Sequence, residues 1–169
     1  MCGAHRRGLK IYYVPNGGLS ILSQKKSQNI YIRAIEVIPQ EGAQTPFKVF
    51  EEPNVYSIDD VDAIFVRTDP PFDIDYLHNM WILDHVPKHI PIMNRPEGIR
   101  TVNEKIWVSQ FTDLIPETLI CRYMTAFQDF LAQHNSIIVK PTDGYGGQSI
   151  FHLNKDDKNA TVLFETLSE

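Results

Sequence analysis

Cysteine is scarce in this chain, and long apolar runs are missing. The 169 residues include two cysteines, Cys2 and Cys121, which stand far apart and lack the spacing of a metal site. This usage predicts reduced thiols that pack as small hydrophobes in a reducing compartment, with a disulfide as the alternative. No apolar run approaches the roughly 18 residues of a membrane span, and the first residues show no hydrophobic signal core. We therefore expect a cytoplasmic protein.

Positive charge is also sparse. The formal net charge is −5, and no basic cluster exceeds Arg6-Arg7 or Lys25-Lys26, which argues against a protein that follows a nucleic-acid backbone. None of the six histidines has a partner at metal-site spacing, and no Gly-x-Ser-x-Gly elbow is present. Metalloenzyme and serine-hydrolase interpretations therefore have no support. The apolar fraction of 43% and the charged fraction of 22% are typical of a folded globular protein.

What the chain does contain is a glycine-rich stretch between two short apolar runs. Residues 136–139 and 149–153 predict the two strands of a hairpin. Lys140 ends the first strand, and the connection holds three glycines in four positions: Gly144, Gly146 and Gly147. Glycine reaches positive φ, so successive N–H groups can converge on an anion beside the lysine charge. The stretch predicts a cradle for nucleotide phosphates; the alternative is an ordinary glycine hairpin with a solvated lysine.

The order of these residues excludes two other nucleotide-binding loops. A Walker A loop needs its lysine after the glycines, at the start of a helix, whereas Lys140 precedes them. A Rossmann fingerprint needs a third glycine where Ser149 stands, and again a helix must follow. A strand, a glycine flap and a second strand form a different geometry.

A second candidate site lies where a predicted strand over residues 63–66 ends. This apolar run is typical of a fully buried central parallel strand, and the two prolines that soon follow it cannot continue the sheet. Ligands of open α/β sheets bind beyond the carboxyl ends of the strands, where Arg67 and Asp69 would lie. An ion pair between these two side chains that merely fixes the loop is an equally good interpretation.

Lys105 is a third candidate. Asn103 predicts the N-cap of a helix that runs to residue 111, which would place Lys105 in the first turn. The helix dipole disfavours a cation at that position. This mild conflict indicates another role for Lys105, with a solvated side chain as the alternative.

The remaining patterns predict an alternation of strands and helices. Strands are expected over residues 9–14, 29–37, 47–50, 90–94, 118–121 and 161–164, and helices over 1–7, 74–86 (with Asp73 as its N-cap), 96–101 and 125–133. The first helix would have almost no body, and the last sheet would stop at its third strand. We therefore expect a fragment whose natural chain continues at both ends.

Four motifs follow one another along the chain. They are Arg67-x-Asp-Pro-Pro-Phe-Asp73, Asn103-Glu-Lys105, Thr112-Asp-Leu-x-Pro-Glu-Thr118-Leu and Lys140-Pro-x-Asp-Gly-x-Gly-Gly-x-Ser149-Ile-Phe. In order and spacing they resemble the bacterial glutathione synthetase family of ATP-grasp ligases. The resemblance spans essentially the whole chain, and the double-proline motif combined with the glycine flap is much more specific than either motif alone.

The resemblance implies an α/β fold with two parts. A pre-ATP-grasp parallel α/β domain would occupy residues 1–100, and the first part of an ATP-grasp domain would occupy residues 101–169. The implied ATP-binding residues are Lys105, Lys140, Gly144, Gly146, Gly147 and Ser149. Arg67 and Asp69 stay candidates for the substrate site, no catalytic residue is assigned, and the Mg²⁺ ligands are expected beyond residue 169.

The implied activity of the full-length form is the ATP-dependent ligation of γ-glutamylcysteine to glycine through an acyl phosphate. ATP, γ-glutamylcysteine and glycine would be its partners, with Mg²⁺ as cofactor and without nucleic acid or membrane; a homo-oligomer is left open. The 169-residue fragment alone is expected to be inactive. The alternatives are another ATP-grasp carboxylate–amine ligase, against which the double-proline motif counts, and a non-catalytic nucleotide-binding module.

Overall fold

The computed structural model describes residues 1–168, which form two compact units. The first unit comprises Met1–Arg67 with Ile74–Glu97, and the second comprises Thr68–Asp73 with the chain from Gly98 onward. The α/β class expected from the sequence is confirmed, because helices are interspersed with strands that form three sheets in the described residues.

One long strand organises the first unit. The short helix α1 (Cys2–His5) leads to β1 (Tyr12–Tyr13), β2 (Leu19–Gln24), the 13-residue β3 (Ser27–Pro39), β4 (Phe47–Val49) and β5 (Asn54–Ser57). All four other strands pair with β3 antiparallel, so in the described residues the parallel pairing expected for this domain is confined to the two short strands that follow. Alternation along β3 turns Ile30, Ile32 and Ala34 to one face, where each is buried. The predicted strands over 29–37 and 47–50 are confirmed, whereas only two residues of the predicted strand 9–14 form one.

A smaller parallel pair completes the first unit. After a 3₁₀ turn, Ile58–Asp60, strand β6 (Ile64–Phe65) pairs parallel with β7 (Ile92–Met93), and α2 (Ile74–Leu83) connects them. The prediction that residues 63–66 are fully buried is wrong, because Phe65 is 65% exposed while Val66 is buried. Alternation places the paired residues Phe65 and Met93 on the same face of this sheet, and both are exposed.

The second unit combines helices with an antiparallel hairpin. Helix α3 (Pro96–Thr101) is followed by α4 (Glu104–Trp107) with a 3₁₀ extension, α5 (Met124–His134), β8 (Ser136–Val139), β9 (Phe151–Asn154) and α6 (Ala160–Ser168). Asn135 has φ of 60°, and this left-handed residue ends α5 directly before β8. The hairpin pairs Ile137 with Leu153 and Val139 with Phe151, which confirms the two strands predicted around the glycines.

Two predicted strands of the second unit are wrong. Residues 118–121 form no strand in the described structure, and the half-buried Cys121 instead packs against the core of α5 and α6. Residues 161–164 belong to α6, because Ala160 and Phe164 are four residues apart and both are buried. Phe164 stacks on Phe127 of α5, with ring centroids 4.5 Å apart and planes inclined by 19°.

Among residues 1–168, none of the helices combines the length and the hydrophobicity that a membrane crossing needs.

The Phe127–Phe164 stack predicts where the second unit is most sensitive to substitution. Phe164→Ala should lower its free energy of unfolding by about 3–5 kcal/mol, because the variant leaves a cavity between α5 and α6. Urea unfolding followed by Trp107 fluorescence in a Trp81→Phe background reports on this unit. Val162→Ala, on the same helix but 62% exposed, is the control and should change stability by less than about 0.5 kcal/mol. Equal losses in the two variants would contradict the assigned core.

Candidate functional site

The glycine loop connects β8 to β9 and uses its glycines for two different reasons. Gly146 and Gly147 have φ of 61° and 77°, a left-handed backbone in which a side chain would be strained. Gly144 has an ordinary φ, but a Cβ there would lie 2.6 Å from Cγ of Pro141. Ser149 also has a positive φ, 56°, which is uncommon for a residue with a side chain. The loop therefore needs two glycines for conformation and one for space.

The start of α4 is bonded to this loop. Oδ1 of Asn103 accepts hydrogen bonds from the backbone N–H groups of Lys105 (3.0 Å) and Ile106 (3.1 Å), which confirms the predicted N-cap. Nζ of Lys105 donates to the carbonyl oxygen of Pro141 at 2.7 Å and also to that of Gly144. Lys105 is half-buried, so the interpretation of a solvated lysine is wrong.

A cavity of about 210 Å³ lies between the start of α4 and the glycine loop. Its walls come from the start of α4, the end of β8 and the loop: Glu104, Lys105, Lys140, Pro141, Gly144, Tyr145, Gly146, Gly147, Gln148 and Ile150. Whole small-molecule sites usually measure about 300–1,000 Å³, so this one fits a part of a ligand, such as a chain of phosphates. The two lysines outnumber the single carboxylate of Glu104, which favours an anion.

The two lysines that line this cavity differ in the exposure and the hydrogen bonding of their ammonium groups. Lys140 is exposed, and within residues 1–168 no hydrogen bond or ion pair holds its ammonium group. Lys105 has three N–H donors, of which the two loop carbonyls take two. One donor of Lys105 and all three of Lys140 are left to bind an anion.

The other predicted site residues lie outside this cavity. Ser149 belongs to the glycine loop, but its neighbours Gln148 and Ile150 line the cavity and it does not. Arg67 and Asp69 are both exposed, Arg67 in the first unit and Asp69 in the second. Their assignment to a substrate site stays a prediction. Residues 1–168 contain no group of three or more histidine, cysteine, aspartate or glutamate side chains that could hold a metal ion, so no Mg²⁺ ligand is assigned.

Sequence reasoning missed several residues of the site. Glu104, Tyr145 and Gln148 line the cavity, and Nδ2 of Asn103 donates to the carbonyl oxygen of Thr142 at 3.1 Å. Their positions in the sequence could have indicated the first three, since Tyr145 and Gln148 lie among the loop glycines and Glu104 is next to Lys105. The bond from Asn103 to Thr142 leaves no such signal, because it joins residues 39 positions apart.

Two family models match the chain. The N-terminal domain of prokaryotic glutathione synthetase matches residues 1–100, and the ATP-grasp domain of the same enzyme matches residues 104–169. The chain belongs to the prokaryotic glutathione synthetase family. The second match contains both lysines of the cavity and the whole glycine loop.

Individual members of the glutathione synthetase family match over nearly the entire chain. The glutathione synthetases of Photorhabdus laumondii and Escherichia coli K12 are 34% and 35% identical to it over 167 residues, 98% of this chain and 51% of theirs. That of Vibrio cholerae is 31% identical over 169 residues, 99% of this chain and 52% of its own. The chain thus spans about half the length of the curated relatives it matches.

The contacts of Lys105 predict a structural role before any ligand binds. Lys105→Met keeps the aliphatic stem but removes the ammonium group and its two hydrogen bonds to the loop. The second unit should therefore lose about 1.5–3 kcal/mol of stability, the range for hydrogen bonds to a charged group. Urea unfolding followed by Trp107 fluorescence in the Trp81→Phe background measures this loss. Lys158→Met, an exposed lysine of the same unit, is the control and should have almost no effect. If Lys105→Met also left the free energy of unfolding unchanged, the contacts of Lys105 with the loop would not contribute to stability.

Proposed function

We propose that this chain carries the ATP phosphate-binding part of a glutathione synthetase, an ATP-dependent carbon–nitrogen ligase. The observation that supports this most is the cavity beneath the glycine loop, where Lys105 and Lys140 lie in the stretch that matches the ATP-grasp domain. The proposed domains are residues 1–100 and 101–169. A cytoplasmic location is also proposed, and the free thiols of Cys2 and Cys121 agree with a reducing compartment.

The charges and the backbone of the second unit support the proposal that it binds phosphate. A unit charge about 4 Å from a phosphate oxygen contributes about 1 kcal/mol in bulk water and about 4 kcal/mol near a protein surface. The left-handed residues Gly146, Gly147 and Ser149 add backbone N–H groups, which in such conformations can converge on an anion. In the proposal, Lys105, Lys140, Gly144, Gly146, Gly147 and Ser149 bind ATP, with the loop as a flap over the phosphates.

The proposed reaction joins γ-glutamylcysteine to glycine in two steps. The carboxylate of γ-glutamylcysteine attacks the γ-phosphate of ATP and releases ADP; the amine of glycine then attacks the acyl phosphate and releases phosphate. Negative charge on the transferring phosphoryl group needs fixed positive charge and N–H donors, which the two lysines and the loop supply. Bound Mg²⁺ would supply further charge neutralisation. Arg67 and Asp69 stay candidates for the substrate site, and no covalent nucleophile is needed.

We propose this activity for a polypeptide of the relatives' full length. The 169-residue polypeptide alone should bind ATP weakly and form no glutathione, because the matched segment spans about half of those enzymes. The test is an assay of the native-length protein with ATP, Mg²⁺, γ-glutamylcysteine and glycine that measures both ADP and glutathione.

The same assay separates the alternatives. Another ATP-grasp ligase would release ADP with a different pair, such as D-alanine with D-alanine, and not with γ-glutamylcysteine and glycine. A nucleotide-binding module would bind ATP without forming ADP. Glutathione formation that depends on all three substrates supports the proposal, and either other pattern would contradict it.

Lys140 gives the cleanest test of phosphate binding. Lys140→Ala should raise the Kd for ATP about 5- to 150-fold, since a charged contact is worth between about 1 kcal/mol in water and about 3 kcal/mol when desolvated. Calorimetry on the 169-residue polypeptide measures the change, which should shrink as salt screens the charge. Lys158→Ala is the matched control. Because Lys140 is exposed, the variant should keep wild-type stability; unchanged affinity would remove Lys140 from the site.

Gly146 tests the role of the flap. Gly146→Val should weaken ATP binding, because a β-branched residue strains a backbone with φ of 61° and covers the N–H groups that would face phosphate. Gly42→Val, in a turn of the first unit, is the matched control, since its φ is 72° and neither glycine has an atom within 4 Å of an added Cβ. Both variants should lose about 1–2 kcal/mol of stability. Equal effects of the two on the Kd for ATP would show that strain alone is responsible.

A further inference from the structure

The first part of the glycine loop, the turn formed by residues 141–144, is held by side chains from another element. Three of the four carbonyl groups of residues 141–144 receive a donor from the start of α4: Lys105 donates to those of Pro141 and Gly144, and Asn103 donates to that of Thr142. Because the β8–β9 ladder ends at Val139, these carbonyls have no strand partner. Side chains at the start of α4 therefore supply the hydrogen-bond donors that a neighbouring strand supplies within a sheet.

Asn103 performs two tasks with one amide group. Its Oδ1 caps α4, and its Nδ2 reaches the carbonyl oxygen of Thr142 at 3.1 Å. Serine and aspartate cap helices about as well as asparagine. Neither could make the second bond, because aspartate has no donor and the serine hydroxyl is too short to span both partners. The second bond thus accounts for asparagine rather than another capping residue at this position.

We propose that Asn103 is a positioning residue that fixes residues 141–144, so that motion of the glycine loop is confined to residues 145–149. In those five residues Gly146 and Gly147 are exposed, and no atom lies within 4 Å of a Cβ built on either. The bonded turn is the fixed end of the flap, and it also holds Lys105 toward the cavity. The benefit for ATP binding rests on the proposed function, whereas the positioning itself concerns the ligand-free chain.

Cleavage by chymotrypsin after Tyr145 tests the positioning without any ligand. Tyr145 is 42% exposed and follows the bonded turn directly, so its cleavage reports how often the loop opens. Asn103→Ser keeps the cap and adds no charge but loses the bond to Thr142. Its cleavage rate should rise roughly two- to tenfold, the change expected from one lost neutral hydrogen bond. Asn103→Asp should behave in the same way, and it decides the question if the serine variant does not fold.

Asn103→Ala separates positioning from capping. If Asn103 were only a cap, the serine and aspartate variants would be cleaved at the wild-type rate and the alanine variant alone would be cleaved faster; this result would overturn the proposal. Cleavage after Tyr123, which is 76% exposed and precedes α5, is the internal reference. Asn159→Ser, the same substitution directly before α6, is the matched control and should leave cleavage after Tyr145 unchanged.

Adding ATP distinguishes this proposal from the proposed function. If the loop binds phosphates, ATP should slow cleavage after Tyr145 in the wild-type chain. Faster cleavage of the serine and aspartate variants without any protection by ATP would support the positioning role and count against ATP binding. Protection by ATP with wild-type cleavage of both variants would overturn the positioning role and leave ATP binding in place.

Discussion

The site depends on donors for carbonyl groups that no strand can satisfy. β8 and β9 pair from Ser136 to Val139 and from Phe151 to Asn154, and the eleven residues between them lie outside the ladder. An unpaired backbone carbonyl that is shielded from water costs about as much as a lost hydrogen bond, so a long connection needs anchors. Lys105 and Asn103 provide three of them within four residues. This bonding gives the glycine-rich connection one fixed end.

The hairpin that carries the anchored loop is itself held in place. A two-stranded hairpin is marginally stable alone, and β8–β9 is supported by α5 and α6 through the cluster of Phe127, Leu131, Leu153, Ala160 and Phe164. Leu153 is the contribution of β9 to that cluster. The hairpin is thus rigid at its base, where it packs on helices, and the glycines occupy the end away from this core. A rigid base beneath an exposed loop is the arrangement that the proposed flap would require.

Local chemistry explains what the sequence could predict, and distance along the chain explains what it could not. Patterns among neighbouring residues were enough to predict the two strands of the hairpin, the cap at Asn103 and the helix through Phe127. The run Thr161-Val-Leu-Phe164 favours a strand by composition, and the aromatic stack on Phe127 shows why α6 forms instead. The contacts from Lys105 cross 36 and 39 positions, so the pattern indicated only that this lysine was out of place in a first turn. Only the folded structure shows that its hydrogen-bond partners are the carbonyl oxygens of Pro141 and Gly144.

The two lysines of the cavity bring different contributions to an anion. The ammonium of Lys105 is half-buried and already oriented by two carbonyls, so it loses little conformational entropy or hydration when its third donor meets a phosphate. Those carbonyls also offset part of its charge, which limits its attraction. Lys140 is solvated and unrestrained, so it must give up water and rotamer freedom, but its full charge is available. In the proposed phosphate site, Lys105 would therefore supply geometry and Lys140 would supply charge.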